Sequence, residues 1–297
     1  MARKRDRSLL NARVSEKSMM AMRQSTTFQY GANVHVNQIR LHYLCYGADD
    51  LPPVILVPGI TSPAATWGFV GEVLGRTLRT YIVDVRGRGL SQGGGDLDYS
   101  LDACVEDIRQ LAQELSLRSY ALLGHSMGGR IAIRTAARDA NAARVAFVDP
   151  PLSGPNRRPY PRDLNDYLAA IRLARNGASA SELRRFSPSL KEEHLRVRAE
   201  WLHTCDEVAV AASFRGFQED DIHHDLARLT IPTLFVVAGK GPLTPDEINE
   251  VSAILPRTIV RAVAGAGHMI PMDDLPGFVG AIGDFFAPAA IAARLNA

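Results

Sequence analysis

Tyr120-Ala121-Leu122-Leu123-Gly124-His125-Ser126-Met127-Gly128 is the stretch that decides the fold. Its first four residues are apolar without alternation, as in a strand covered on both faces. The segment from Met127 to Arg138 then reads as a helix. G-x-S-x-G between a strand and a helix predicts a tight elbow that lifts a serine hydroxyl above a sheet. The two glycines leave room for a strained turn and for close helix–strand approach.

Working outward, the same strand–helix grammar continues. Asn33-Val34-His35-Val36 and Ile39-Arg40-Leu41-His42-Tyr43 flank Asn37-Gln38 and predict a hairpin within residues 26–46. Val54–Val57, Tyr81–Val85 and Val145–Val148 read as further buried parallel strands, and Thr233–Ala238 and Thr258–Val263 follow later. Leu101–Leu115 reads as a helix. Alternating strands and helices predict an α/β fold with a mostly parallel twisted sheet flanked by helices. Residues 152–227 interrupt the alternation. They are Arg-rich and helix-prone, with Leu164–Arg175, Ser181–Phe186 and Leu190–Ala212 as predicted helices. They read as a helical cap inserted into a core made of residues 26–151 and 228–290.

Composition bounds the class. The chain has 297 residues, 46% hydrophobic and 22% charged, as in ordinary globular proteins. No apolar run approaches the roughly 20 residues that span a bilayer. Cys45, Cys104 and Cys205 are scattered, with neither metal-ligand spacing nor a disulfide framework, which favours a reducing cytoplasm. Residues 1–25 hold seven Lys/Arg and two acids in a chain whose net charge is +2, and they read as a disordered basic tail. No apolar h-region follows it, so a secretory signal is not expected. Neither nucleic acid nor a membrane is an expected partner. The sequence does not disclose an oligomeric state.

A serine nucleophile needs a base, and the base needs an orienting acid. His268, in Gly265-Ala266-Gly267-His268-Met269 after the last strand, is the expected base. His125 is expected to pack or orient the elbow. The usual place for the acid is just past the strand Thr233–Ala238, yet Gly239-Lys240-Gly241-Pro242-Leu243 holds no carboxylate. Asp246 follows soon after, but Thr244-Pro245-Asp246-Glu247 reads as a capping box that explains its acids by helix initiation. Asp149 lies at the carboxyl end of the strand after the elbow, where ligand chemistry gathers in open α/β sheets. Asp149 is therefore the favoured acid and Asp246 the alternative. Oxyanion donors are expected from the N–H of Met127 and of Ile60, the latter in Val57-Pro58-Gly59-Ile60-Thr61. Asp84 and Arg86, in Asp84-Val85-Arg86-Gly87-Arg88-Gly89-Leu90-Ser91, are expected to organise a loop. His223-His224-Asp225 reads as a hinge, and no metal is expected.

The elbow, the Pro-Gly loop, Asp-x-Arg-Gly-x-Gly-x-Ser and the late Gly-His together resemble the α/β-hydrolase superfamily over about residues 28–287. More specific stretches are Val54–Ala64, Trp67-Gly68-Phe69-Val70, Leu97-Asp98-Tyr99, Ala199–Cys205, Asp221-Ile222-His223 and Gly267–Pro271. These resemble the N-formylmaleamate deformylase family of aerobic nicotinate degradation. That resemblance implies a serine–histidine–aspartate triad at Ser126, His268 and Asp149, with the acid after the sixth strand. It also implies hydrolysis of N-formylmaleamate to formate and maleamate through a formyl-serine, with no cofactor. The substrate would be a small anionic amide, so a cationic pocket is implied. Arg130, Arg157, Arg158 and His223 are candidates for it, Thr61 and Ser62 are candidate donors, and Trp201 and His203 lie in the cap where substrate selection would occur. A carboxylesterase or lactonase would share every triad residue. A non-catalytic ligand-binding protein is the remaining alternative, against which the intact triad weighs.

Overall fold

The computed structural model describes residues 26–286; the basic tail and the residues from 287 onward lie outside the described part. Eight strands form one sheet: β1 (Phe28–Val36), β2 (Ile39–Tyr46), β3 (Pro53–Val57), β4 (Arg79–Asp84), β5 (Tyr120–His125), β6 (Ala142–Val148), β7 (Thr233–Ala238) and β8 (Ile259–Val263). Their order across the sheet is β1-β2-β4-β3-β5-β6-β7-β8. The β1–β2 and β2–β4 pairs are antiparallel, and every other neighbouring pair is parallel. The predicted hairpin closes through Asn37 and Gln38, both at positive φ, the backbone twist that suits a two-residue connection.

Helices cover the sheet: α1 (Gly68–Leu74), α2 (Leu101–Glu114), α3 (Met127–Arg138), α4 (Leu164–Arg175), α5 (Ala180–Leu183), α6 (Glu192–Trp201), α7 (Glu207–Glu219), α8 (Ile222–Leu226), α9 (Pro245–Ile254), α10 (Ile270–Asp273) and α11 (Leu275–Phe286). Between β6 and β7 the chain is helical or irregular, without a strand. The helix expected over Leu190–Ala212 is broken there. A 3-10 turn, Leu202–Thr204, ends α6, and Asp206 restarts the chain by accepting from the N–H groups of Val208 and Ala209. An N-cap aspartate in mid-pattern is the physical reason for the break.

The core lies on both faces of the sheet. Every residue of β4 and β5 is buried, which accounts for their unbroken apolar runs. One cluster packs Ile55, Leu122 and Phe147 against Ile131 and Ile133 of α3. The other packs Leu56, Leu123 and Val236 against Phe278 and Ile282 of α11.

The elbow sits where β5 gives way to α3. Ser126 adopts φ 54° and ψ −121°, a conformation that non-glycine residues rarely hold. Two contacts fix it. A Cβ at Gly124 would lie 2.1 Å from the carbonyl oxygen of Gly128, and a Cβ at Gly128 would lie 1.9 Å from that of Val57. Backbone stands where a side chain would go, so β3, β5 and α3 can approach only through glycine. Gly128→Ala is therefore expected to destabilise the fold by about 3 kcal/mol or more. Gly95→Ala, with nothing within 4 Å of its Cβ position, should stay within about 0.5 kcal/mol of wild type in the same denaturant melts.

Candidate active site

Adjacent strand ends set the first two groups. The N–H of Ser126 bonds the carbonyl of Val148 at 2.9 Å, and the N–H of Asp149 bonds that of Val236 at 2.9 Å. Each residue leaves its strand through a positive φ, 54° at Ser126 and 46° at Asp149. The turn carries the Ser126 hydroxyl and the Asp149 carboxylate to the carboxyl edge of the sheet. His268 arrives from the loop after β8. That loop is held by Asp273, whose carboxylate accepts the Gly267 N–H at 2.9 Å.

The three side chains meet in a line. Nε2 of His268 is 3.0 Å from Oγ of Ser126, and Nδ1 is 2.6 Å from Oδ2 of Asp149. The Asp149 side chain has no exposed surface, whereas that of His268 is 14% exposed. A buried carboxylate at this distance fixes the imidazole tautomer with the proton on Nδ1, leaving Nε2 as an acceptor. Asp149 also accepts from the Ala238 N–H at 3.4 Å. Asp246, the alternative acid, is exposed in the first turn of α9, beside the Thr244–Glu247 capping box.

His125 braces the arrangement from below. It lies between Trp67 and His268, with ring centroids 5.2 and 5.0 Å away. Its Nε2 lies 2.8 Å from the carbonyl of His268, which accepts its proton. Burial lowers its pKa to about 3, with the neighbouring His268 ring adding to the shift, so it stays neutral.

One arginine touches both residues whose amides are expected to face an oxyanion. Arg88 is buried, and its Nε donates to the carbonyl of Ile60 at 3.1 Å. Its Nη2 reaches Sδ of Met127 at 3.7 Å and, on α7, the carbonyl of Ala209 at 3.2 Å and Oγ of Ser213 at 2.9 Å. The Met127 N–H opens a helix and so has no acceptor within it. Asp84 and Arg86 do not pair with each other. Asp84 accepts from His42 and from the N–H groups of Ala64 and Leu90, while Arg86 binds Asp107.

A chamber of about 460 Å³ opens over Ser126 and His268. Thr61 and Ser62 line it. Six other expected lining residues do not. Arg130 is buried with its guanidinium spent on the carbonyls of Pro151, Ser153, Gly216 and Asp220, at 2.8 to 3.1 Å. It clamps the chain after Asp149 to the end of α7. Arg157 pairs with Glu250, and Arg158 pairs with Glu247, so both tie the cap to α9. His223 is buried facing Asp221 and Glu250 at 3.8 Å each. Trp201 is half-buried and His203 exposed, both off the chamber wall. The cations that line it are Arg162, Arg185 and Arg198.

Tyr160 also meets the triad. Its hydroxyl lies 3.3 Å from Nε2 of His268, and burial raises its pKa well above the ordinary tyrosine value. It is a neutral phenol against the imidazole. Pro159-Tyr160-Pro161 carries no periodicity that would have marked it.

The arrangement is that of a serine hydrogen-bonded to an oriented imidazole in a partly enclosed chamber lined by three arginines, suited to acyl transfer. Comparison with known proteins agrees. An N-formylmaleamate deformylase from Pseudomonas putida KT2440 is 52% identical over 262 residues, covering 88% of this chain and 97% of that protein. A crystal structure of an N-formylmaleamic acid deformylase from Pseudomonas putida S16 superposes with a TM-score of 0.81 at 49% identity, covering 85% of this chain and all of that one. The fold is shared more widely, as with an E-2-(acetamidomethylene)succinate hydrolase at a TM-score of 0.72 and 23% identity, over 87% of this chain and 98% of that one. Residues 54–281 match the family model described as the alpha/beta hydrolase family, and the chain belongs to that family.

Proposed function

We propose that this chain is a serine amidohydrolase that cleaves the N-formyl amide of N-formylmaleamate, giving formate and maleamate, in nicotinate catabolism. The observation that carries the chemistry is the Ser126–His268–Asp149 line, with contacts of 3.0 and 2.6 Å. The substrate rests on the 52% identity to the P. putida enzyme of that name.

In this reading Oγ of Ser126 attacks the formyl carbon while Nε2 of His268 takes its proton. Asp149 stabilises the resulting imidazolium. The N–H groups of Ile60 and Met127 hold the oxyanion, with Arg88 fixing both residues. Collapse of the tetrahedral species breaks the C–N bond, and Nε2 returns the proton to the departing amide nitrogen of maleamate. That nitrogen is conjugated to a carbonyl and leaves more readily than an amine. Water, deprotonated by His268, then opens the formyl-serine ester and releases formate. The three cysteines are free and buried, in keeping with work in the reducing cytoplasm.

Ser126→Ala and His268→Ala are each expected to lower kcat for formate release by about 10⁴-fold or more. Asp149→Asn should be similarly crippled, because an amide cannot hold the productive tautomer. Asp246→Asn should keep near-wild-type rates, and the reverse pattern would move the acid to α9. Turnover of aryl esters without formate release from N-formylmaleamate would make the chain an esterase instead.

His125 is a positioning residue here. Its effect on stability has a defined sign. An unfolded histidine binds a proton below about pH 6.5, whereas the buried ring resists until about pH 3. The contribution is complete above pH 6.5 and is lost as pH falls towards 3, at up to about 1.4 kcal/mol per pH unit. Urea melts of His125→Asn across that range should show a shallower acid loss than wild type.

A further inference from the structure

Three arginines line the chamber over Ser126, but they are not equivalent. Arg162 and Arg185 are exposed at its rim. Arg162 has the carboxylates of Asp163 and Asp166 as neighbours on the same wall, and the Arg185 guanidinium stacks 4.6 Å over the Phe186 ring. Both can draw an anion towards the mouth.

Arg198 stands apart. It lies on α6 between Leu195 and Leu202, one turn from each, and both leucines are buried. Helical spacing therefore turns it inward. It forms no ion pair among the described residues. Its polar contacts are long: Nη1 is 3.4 Å from the carbonyl of Thr61, and Nη2 is 3.5 Å from Thr61 Oγ1. Burial lowers its pKa, and no carboxylate opposes that shift; the opposing groups are Cys205 and Tyr167. A half-buried guanidinium without a counterion is an unfavourable charge, and a bidentate carboxylate is the ligand its planar fork fits best. Thr61 directly follows Ile60, so a group bound there sits beside the oxyanion amide.

We propose that Arg198, with Thr61 Oγ1 as second donor, is the anchor for a carboxylate on the leaving-group side of the scissile bond, and selects acyl compounds bearing that charge. The inference rests on the amidohydrolase reading for the identity of the substrate, but not for the role of the site. One short segment, Gly59–Ser62, then carries both the oxyanion donor and the anchor's second donor. Placement of the charged end and alignment of the reacting carbonyl become a single event.

The test compares N-formylmaleamate with its methyl ester, which keeps the formamide and loses the charge. For Arg198→Met, kcat/KM for the anion should fall by about 10² to 10³-fold, chiefly through KM. The ester should change by less than about threefold. Arg198→Lys should lie between, since it keeps the charge and loses the fork. Equal losses on both substrates would mark Arg198 as structural and overturn the proposal, as would no loss on either. Should Arg198→Met fail to fold, Arg198→Lys is read on the same substrate pair. A wild-type protein that releases no formate would refute the substrate reading alone. The anchor is then judged with 3-acetoxybenzoate against phenyl acetate, and it falls if preference for the charged ester survives the Arg198 substitutions.

Discussion

The contact between the buried Asp149 carboxylate and Nδ1 of His268 is the constraint around which the site is arranged. A carboxylate with no exposed surface must be met by donors, and the imidazole is the principal one. Every neighbouring feature serves that meeting. The Asp149 backbone is pinned to β7, Arg130 clamps the chain that follows, and Asp273 and His125 hold the loop that brings His268. The serine needs only to stand on the far side of the ring, and the strained elbow puts it there.

The acid's position follows from the same geometry. β6 lies between β5 and β7 in the sheet, so the end of β6 is next to the elbow. An aspartate there reaches the histidine directly. The loop after β7 is then relieved of a carboxylate and is free to carry glycine. A Cβ at Gly241 would lie 3.0 Å from Oδ2 of Asp149, which suits a small residue beside the acid.

Much of the core was legible because its determinants are local. Unbroken apolar runs marked buried strands, and glycines spaced around Ser126 marked an elbow whose backbone contacts exclude Cβ atoms. Asp149 was readable from the lack of acids in residues 239–243 and from the capping role of Glu247. The cap was less legible because its arginines choose partners far away in sequence. Arg157 finds Glu250 and Arg158 finds Glu247, each about 90 residues on, and nothing near either arginine announces that. Arg198 did carry a signal, the Leu195–Arg198–Leu202 spacing that turns it towards the core. Net positive composition alone does not say which cation faces the substrate; ion pairs remove Arg157 and Arg158, and backbone carbonyls remove Arg130.

As the nucleophile, Ser126 becomes covalently acylated by the formyl group. A rapid acid quench during turnover of N-formylmaleamate isotopically labelled in that group, followed by peptide mapping, tests it most directly. Label is expected on the peptide containing Ser126 in the wild type and none in Ser126→Ala. Formate release at an undiminished rate from Ser126→Ala, with no label retained by either protein, would contradict it.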